Sequence, residues 1–346
     1  MNQAIQESLD LLSRGHCLDD QQAYRLMDAI MAGDATPAQI GGVLMALRVR
    51  GESVEELTGF ARAMRDHATP IAVHHHPLID TCGTGGDRSF TFNVSTVSAF
   101  VVAGAGLHVA KHGNRSATSK SGSADLLEAL GVNFSAEPNR LAALIDEVGF
   151  GFLFAQNVHA SMRHAGPVRR ELGVRTVFNL LGPLTNPAAP EYQLLGVYGA
   201  EWVRPLAEVL GRLGVRRAMV VHGHGGLDEV SLSGPTRYSL VDHGRITDGE
   251  LTPEQLGLPT YPHGSFVGGE PAVNAAICRD ILARGSGGPY LDMVLANAGV
   301  ALFVGEQVAS VEEGVVLARS VIKDGRAIAV LERLIQASQS RTRRDA

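Results

Sequence analysis

The chain has 346 residues, of which 45% are hydrophobic and 19% are charged, and its formal net charge is −6. This composition is typical of a globular protein and excludes a largely disordered chain. The acidic balance argues against a general nucleic-acid binder, which would carry a basic surface. Because the length exceeds that of a typical single core, it predicts two lobes or one large α/β domain with a helical appendage.

The cysteines and the N-terminus indicate the compartment. Cys17, Cys82 and Cys278 are widely spaced and odd in number, as in proteins of a reducing compartment that have no disulfide framework. The first ten residues lack the basic and apolar segments of a signal peptide, and no apolar run reaches the roughly 18–20 residues that cross a bilayer. We therefore expect a cytoplasmic protein that makes no membrane contact.

Apolar residues recur near helical spacing in four successive stretches of residues 1–72. Thr36 before Pro37 predicts the start of the third helix, and Ser53 predicts the start of the fourth. Four short helices favour a small bundle or a dimerisation lobe. A helix-turn-helix DNA reader is the alternative interpretation, which the acidic composition disfavours.

Two features beside the first predicted strand are interpreted as structural. Residues 74–76 are three consecutive histidines, and adjacent side chains of an extended chain do not converge on one metal ion. We interpret them as a solvated linker. Cys82 is interpreted as a small buried side chain at the end of a strand, because no partner base for a nucleophile is apparent.

After the linker, a pattern of strand, glycine-rich loop and helix occurs twice in succession. Apolar runs at 77–79 and 107–110 predict the strands, and helical patterns follow at 96–104 and 124–130. In open α/β sheets, ligands bind at the carboxyl ends of the strands, where such loops lie. Residues 80–125 are therefore predicted to contain the functional site.

The first of these loops suits a phosphorylated ligand. Gly83, Gly85 and Gly86 let several backbone N–H groups converge on one anion. Asp87 would repel a bare phosphate, so the ligand is expected to bring hydroxyl groups or Mg²⁺ as well. The loop is not a Walker A motif, because no Gly-Lys-Ser/Thr sequence follows it.

The helix after the first loop adds a second kind of anion contact. Asn93, Ser95 and Thr96 open this helix and offer capping side chains and free N–H groups at its positive end. In isolation, however, the loop and helix also fit a tight turn followed by an ordinary helix cap.

The second loop supplies positive charge. Lys111, Arg115 and Lys120 lie within ten residues of one another, separated by glycines and by several serine and threonine hydroxyls. Lysine provides a point charge and arginine a planar fork for oxyanions. Such a loop suits a ligand that carries more than one phosphate.

The rest of the chain continues the alternation of strands and helices. Apolar runs predict strands at 150–154, 193–198 and 217–222, and turn residues suggest a β-rich excursion around 238–241 and 264–266. Helical patterns lie at 139–147, 207–213, 271–283, 290–302, 311–324 and 327–338. Residues 159–187 combine arginines and histidines with apolar residues that are expected to be buried.

Asp228 and Glu229 follow the strand predicted at 217–222 and a run of glycines. Two adjacent carboxylates at the carboxyl end of a strand suit a hard cation that bridges to phosphates. An acidic N-cap of the next segment is the alternative interpretation. Together with the two loops, this pair indicates a polyphosphorylated substrate.

These motifs, in this order, resemble those of anthranilate phosphoribosyltransferases. The resemblance covers the chain to about residue 338 and rests on the sequences G-T-G-G-D (83–87), F-N-V-S-T (92–96), K-H-G-N-R-S (111–116), G-S-A-D (122–125), P-V-R-R-E-L-G (167–173), F-N-L-L-G-P-L-T-N-P (178–187) and L-D-E (227–229). It implies the nucleoside-phosphorylase-like phosphoribosyltransferase fold, with a small all-helical domain and a larger α/β domain with a mainly parallel central sheet. The implied boundaries are 1–72, with a helical contribution from about 160–187, and 73–340.

The resemblance also implies an activity. The family transfers the phosphoribosyl group of 5-phospho-α-D-ribose 1-diphosphate (PRPP) to anthranilate in tryptophan biosynthesis, with Mg²⁺, and is usually a homodimer. Nucleic acid is not an expected partner. The rival interpretations are a nucleoside phosphorylase of the same fold and a catalytically silent relative that binds nucleic acid.

Matching this chain to the family motifs assigns roles to individual residues. Anthranilate contacts are implied for Gly83, Asn114 and Arg169, and Mg²⁺ ligands for Ser95, Asp228 and Glu229. The PRPP contacts implied are Gly83, Gly86, Asp87, Thr91, Asn93, Val94, Ser95, Thr96, Lys111, His112, Gly113, Asn114, Arg115, Ser116, Ala117, Thr118, Ser119 and Ser123. The chain departs from the family at Arg88, where a glycine is common.

Overall fold

A computed structural model describes residues 2–87, 89–116, 120–285 and 287–339. Four residues named in the sequence analysis lie outside the described residues: Arg88, Ala117, Thr118 and Ser119.

Four helices form the N-terminal part of the chain, and local sequence explains where they begin. Reciprocal capping boxes start the second, third and fourth helices, with Asp19, Thr36 and Ser53 as N-cap residues. The predicted starts at Thr36 and Ser53 are thus confirmed. The helices are α1 (Gln3–Ser13), α2 (Asp20–Ala32), α3 (Pro37–Arg50) and α4 (Val54–Asp66).

A seven-stranded sheet forms the centre of the rest of the chain. Its strands are β1 (Leu78–Gly83), β2 (His108–Gly113), β3 (Phe150–Phe154), β4 (Tyr192–Gly196), β5 (Arg217–His222), β6 (Thr236–Asp242) and β7 (Arg245–Leu251). They lie in the order β3-β2-β1-β4-β5-β6-β7. The five strands from β3 to β5 in this order are parallel, whereas β6 and β7 are added antiparallel.

Helices connect the parallel strands and cover the sheet, which explains why β3 and β4 are buried at every residue. These helices are α5 (Val94–Gly104), α6 (Ser123–Leu130), α7 (Pro138–Val148), α8 (Ala155–Val158), α9 (Gly166–Leu172), α10 (Phe178–Leu181), α11 (Val203–Arg212), α12 (Pro271–Arg284), α13 (Pro289–Val304), α14 (Val311–Lys323) and α15 (Arg326–Gln339).

The sheet packs into two large hydrophobic cores, one on each face, and into a smaller cluster that joins β1–β3 with α7. One core, which we call the helical core, joins α1–α4 with apolar residues of 165–184, with α11 and with one side of β4 and β5. The other, which we call the sheet core, joins α5, α6 and α12–α15 with the opposite side of the sheet.

The predicted fold class, a helical bundle plus an α/β body with a mainly parallel sheet, is confirmed. Two details of the prediction were wrong. β1 extends to Gly83 and β2 to Gly113, so both strands include polar residues that the sequence predicts as loop. Backbone pairing with β4 and β3, respectively, continues to these glycines. Residues 263–266 form a 3-10 turn, and the second strand of the β-rich excursion is the largely exposed β7.

Among the described residues, no single helix is long and apolar enough to cross a membrane. The bent pair formed by α12 and α13 passes that test only when the two helices are taken together.

Candidate active site

The order of the strands places a cleft at the carboxyl ends of β1 and β4. The chain runs outward from β1 to β2 and β3, and then returns to the other side of β1 with β4. In open α/β sheets, this reversal opens a crevice in which ligands bind. Four of the residues that the sequence singled out lie together at this reversal point: Ser95, Lys111, Asp228 and Glu229.

Asp228 lies across both strand ends at this point. A Cβ atom built on Gly83, the last residue of β1, would overlap the Asp228 carboxylate, and one built on Gly196, the last residue of β4, would overlap the Asp228 main chain. Gly83 and Gly196 are neighbours in the sheet. The two glycines are therefore required because Asp228 fits only where both side chains are missing.

The carboxylate of Asp228 faces the glycine loop. Its Oδ2 accepts a hydrogen bond from the Gly85 N–H at 2.7 Å. Burial, followed by the charge of Asp87, raises the pKa of Asp228 to about 7. Asp87 and Asp228 thus bring like charges together at the glycine loop.

Glu229 turns towards the start of α5. Its Oε1 accepts a hydrogen bond from the Ser95 N–H at 3.2 Å, so that this free N–H of the helix N-terminus is already used by the protein. Burial and the neighbouring Asp228 raise the pKa of Glu229 well above its ordinary value, although Lys111 opposes the shift. The predicted pair of carboxylates therefore occupies one site and does not cap a helix of its own.

Lys111 is a buried residue of β2, only 1% exposed, whereas the sequence had placed it in a loop of cations. Its Nζ donates to the Thr81 carbonyl and, at 3.3 Å, to the Ser95 hydroxyl. Burial lowers its pKa, and Asp80, Cys82 and Glu229 oppose that shift. Lys111 thus brings a positive charge to the Ser95 hydroxyl from below the loops.

Asp80 supports Lys111 from within the sheet. Asn186 donates to Asp80 Oδ2 at 2.9 Å, and the His112 N–H donates to Asp80 Oδ1 at 3.3 Å. Burial raises the pKa of Asp80 to about 6, against the opposing effect of Lys111. Asp80 begins the stretch predicted to contain the site, and Asn186 lies in the motif at 178–187, but the sequence assigned neither a role because their contact joins distant segments.

These residues fit Mg²⁺. The ion prefers carboxylate, hydroxyl and phosphate oxygens and retains several waters. The Asp228 and Glu229 carboxylates and the Ser95 hydroxyl offer such ligands. A divalent cation would favour the ionised form of Asp228, whose pKa is raised by burial and by the charge of Asp87.

Asn93 is the N-cap residue of α5, but the expected capping hydrogen bond is not made. Its amide instead donates from Nδ2 to the Ser121 carbonyl at 2.9 Å and accepts at Oδ1 from Asn274 at 2.9 Å. The capping prediction for Asn93 was therefore wrong, because longer-range partners compete for the same side chain. Thr96 is buried, and its hydroxyl has no hydrogen-bond partner among the described residues.

The second loop offers less free charge than expected. Arg115 pairs with Asp125 and Glu128 of α6, both at 2.8 Å, and Asp125 also accepts from the Ser116 N–H at 3.1 Å. Lys120 is exposed. The loop is thus folded back onto α6 by its own acidic residues.

The remaining residues predicted to contact PRPP lie in or beside the two loops. Thr91 pairs with Val267 in an isolated bridge, and Val94 is fully buried. At Gly113 a Cβ would come within 3.0 Å of the Ser123 hydroxyl, which marks the close approach of β2 to α6. Asn114 is exposed, with its Oδ1 near the Arg115 N–H.

His112 forms a buried pair with His159. Their ring centroids are 5.1 Å apart, and His112 Nδ1 lies 3.1 Å from the Gly182 carbonyl oxygen. Burial lowers the pKa of His112 to about 3 and that of His159 to about 4, so both rings are neutral at pH 7. His112 is therefore not an additional cation for phosphate.

Two arginines of residues 163–187, Arg169 and Arg175, differ in their contacts. Arg169 stacks on Phe178, with its Cζ 5.0 Å from the ring centroid, and burial lowers its pKa. No described hydrogen bond joins it to Gly83 or Asn114. Arg175 does reach the glycine loop, where it donates to the Gly86 carbonyl. No motif in the sequence indicated this contact.

Comparisons with known proteins agree with this architecture. Residues 75–328 match the family model described as glycosyl transferase family, a/b domain, and residues 6–68 match glycosyl transferase family, helical bundle domain. The chain is 52% identical to the anthranilate phosphoribosyltransferase of Symbiobacterium thermophilum over 325 residues, which cover 93% of this chain and 94% of that protein. With the enzyme of Moorella thermoacetica, the identity is 51% over 321 residues, with the same coverage.

Solved structures extend the similarity to three dimensions. The anthranilate phosphoribosyltransferase from Thermus thermophilus gives a TM-score of 0.92 at 46% identity, covering 98% of this chain and 100% of that one. The Saccharomyces cerevisiae protein, solved in complex with PRPP and Mg, gives 0.89 at 28% identity, covering 99% of both chains. The chain belongs to the anthranilate phosphoribosyltransferase family.

Proposed function

We propose that this protein transfers the phosphoribosyl group of PRPP to the amine of anthranilate, giving N-(5-phosphoribosyl)anthranilate and diphosphate, as a step of tryptophan biosynthesis. The observation that carries the proposal is the convergence of Asp228, Glu229, Ser95 and Lys111 beside the glycine loop, at the reversal point of the sheet. Family membership supports it independently.

The donor is proposed to lie between the two loops. Lys111 approaches from β2 beside the Ser95 hydroxyl, whereas the Gly85 and Ser95 N–H groups hold the Asp228 and Glu229 carboxylates in place beside the diphosphate. Mg²⁺, held by Asp228, Glu229 and Ser95, would neutralise charge on the diphosphate when bound. The structure with PRPP and Mg of the yeast relative supports this choice of cation.

Catalysis then rests on placement and on stabilisation of the leaving group. Departure of diphosphate builds positive charge at C1 of the ribose and negative charge on the diphosphate oxygens. Lys111 and the two carboxylates that would hold Mg²⁺ are fixed before the reaction by hydrogen bonds, on the side where the diphosphate oxygens gain charge. The anthranilate amine needs only to be held in line with C1. Cys82 is not suited to attack, because burial raises the pKa of its thiol well above the ordinary value.

The acceptor is proposed to approach from the opposite side of the cleft. Residues 165–184 pack in the helical core, and Arg169 extends from this segment as the proposed partner of the anthranilate carboxylate. Gly83 and Asn114 are proposed to complete the acceptor site. The carboxylates of Asp87 and Asp228 would repel the acceptor, so a cation from the helical side provides the necessary complement.

The family resemblance further supports a homodimer and a division into a helical domain, residues 1–72 with about 160–187, and an α/β domain, residues 73–340. The cytoplasm is the proposed compartment. All three cysteines are free, as expected in a reducing environment.

The function is tested by following the fluorescence of anthranilate with purified protein, with and without PRPP and Mg²⁺. We expect a loss of fluorescence that requires both PRPP and Mg²⁺. If the folded protein leaves anthranilate unchanged while the PRPP is intact, the proposal is overturned. Nucleosides with phosphate, and then nucleic acid, would be the next ligands to test.

A further inference from the structure

Asn274 lies in the first turn of α12 and is 2% exposed. Its carboxamide is held by two segments that are distant in the sequence. Oδ1 accepts from the Gly269 N–H at 2.7 Å, and Nδ2 donates to Asn93 Oδ1 at 2.9 Å. Because a backbone N–H can only donate, the Gly269 contact fixes which end of the amide faces Asn93.

Asn93 extends this hydrogen-bond network to the second loop. Its Nδ2 donates to the Ser121 carbonyl at 2.9 Å, and its Oδ1 also lies 3.3 Å from the Ser121 hydroxyl. A carbonyl can only accept, so the orientation of the Asn93 amide is fixed at this end as well. In the hydrogen bonds that join Asn274 to Asn93 and Asn93 to the Ser121 carbonyl, the donor and the acceptor of each bond are therefore fixed.

The segment around Gly269 is itself attached to the first loop. The Gly268 N–H donates to the Phe90 carbonyl at 2.8 Å, and the Phe92 N–H donates to the Phe266 carbonyl at 3.1 Å. A Cβ on Gly268 would overlap both the Phe92 backbone and the Asn274 amide oxygen. Asn274 is thus the point at which both substrate loops and the segment 266–269 are joined.

We propose that Asn274 is a positioning residue for the donor: its carboxamide sets the separation and relative orientation of the β1–α5 and β2–α6 loops through Asn93. It acts from α12, behind the loops, and contacts the donor only through Asn93. This inference rests on the proposed function, since both loops are taken to bind PRPP. Buried amide networks of this kind hold a unique arrangement only when every member is satisfied.

An isosteric substitution separates this role from simple packing. In Asn274→Asp, one carboxylate oxygen still accepts from Gly269, but the other faces the Asn93 oxygen, and two acceptors repel. If the Asn93 amide rotates to donate to the new carboxylate, its own oxygen then faces the Ser121 carbonyl. When the new carboxyl group is ionised, no orientation of Asn93 satisfies both neighbours, although the volume of residue 274 is nearly unchanged.

The experiment compares KM values for both substrates and kcat in wild type, Asn274→Asp and Ser121→Ala. For Asn274→Asp we expect the KM for PRPP to rise about tenfold, which corresponds to about 1.4 kcal/mol, while the KM for anthranilate stays near the wild-type value. Ser121→Ala removes one of the contacts to Asn93 and should raise the KM for PRPP by a smaller factor. Asn133→Asp is the matched control, because Asn133 caps an exposed turn at Ser135.

A folded Asn274→Asp variant with wild-type KM for PRPP overturns the inference, and so does an equal rise of both KM values, which a general loosening of the fold would produce. If Asn274→Asp does not fold, an unchanged KM for PRPP in Ser121→Ala overturns it. Inactivity of the wild type would instead count against the proposed function, so the two failures are distinguishable.

Discussion

The guanidinium of Arg175 donates a hydrogen bond to the backbone carbonyl oxygen of Gly86. Its Cζ lies 4.3 Å from the centroid of the Tyr198 ring, and the Tyr198 N–H donates to the Thr84 hydroxyl at 3.1 Å. Arg175 therefore connects the segment between α9 and α10 with the glycine loop that is proposed to hold diphosphate. One side chain thus links the loop proposed to bind PRPP with the segment proposed to bind anthranilate.

Replacing Arg175 by Lys should weaken donor binding although the positive charge remains. A lysine cannot stack on Tyr198 and present a planar fork to a carbonyl at the same time. We expect the KM for PRPP to rise at least about tenfold, since a hydrogen bond to a charged group contributes about 1.5–3 kcal/mol, as measured by steady-state kinetics. Arg163→Lys is the control, since Arg163 is exposed. Unchanged kinetics in Arg175→Lys would contradict the proposed link.

Arg169→Ala should weaken the binding of anthranilate. Removing the proposed partner of the anthranilate carboxylate should raise the KM for anthranilate by at least about tenfold, the cost of one charge-assisted hydrogen bond. The KM for PRPP should change much less. Both constants are obtained from the fluorescence assay at saturating levels of the other substrate. Equal increases in the two KM values would refute this role of Arg169.

Asp228→Asn should alter the response to Mg²⁺. The amide keeps an oxygen but loses the negative charge that favours a divalent cation. We expect the Mg²⁺ concentration that gives half-maximal activity to rise, and the maximal rate to fall. Asp248→Asn is the control, because Asp248 is exposed and pairs with Arg204 away from the cleft. A wild-type Mg²⁺ titration in Asp228→Asn would exclude a metal site there.

Gly196→Ala should destabilise the protein. The new Cβ would overlap the Asp228 main chain, so either β4 or the segment with both carboxylates must move. Overpacking of this kind costs about 1–3 kcal/mol of unfolding free energy, which chemical denaturation would detect. Gly264→Ala, where a Cβ has open space, should have little effect. A Gly196→Ala protein with wild-type stability would show that the segment adapts.

The buried histidine pair should make stability depend on pH. His159 has a pKa of about 4 in the folded protein, whereas an unfolded histidine titrates near pH ~6.5. Between these values the unfolded chain binds more protons, so the unfolding free energy falls as the pH is lowered, by about 1.4 kcal/mol per pH unit for this residue. Denaturation at several pH values should show a smaller slope in His159→Phe. An identical slope would contradict the low pKa.

The sequence predicted the main elements because they follow local rules. Periodic apolar residues located the helices, and caps such as Thr36 and Ser53 located their starts. The sequence also placed Asp228 and Glu229 correctly at a strand end, since glycine runs and paired carboxylates are visible without a structure. The predicted roles of individual substrate-binding residues remain predictions.

The parts that the sequence missed depend on distant contacts. Lys111 looked like a loop cation, but strand pairing carries it into the core, where Thr81 and Ser95 accept its hydrogen bonds. Arg175 and Asn274 belong to no chemical motif, and their partners lie 89 and 181 residues away in the chain. Only the fold brings them to the loops.

The separate packing of the helical core and the sheet core determines which substitutions such an enzyme can tolerate. The segment that carries Arg169 packs with the N-terminal helices in the helical core, whereas α5, α6 and Val230 pack in the sheet core. Substitutions that reshape the acceptor side can therefore be absorbed by one set of packing contacts without disturbing the other. New nucleophiles for the same activated sugar are best sought by diversifying α9 (Gly166–Leu172), with Arg175, Asn186, the glycine loop and the carboxylates left unaltered.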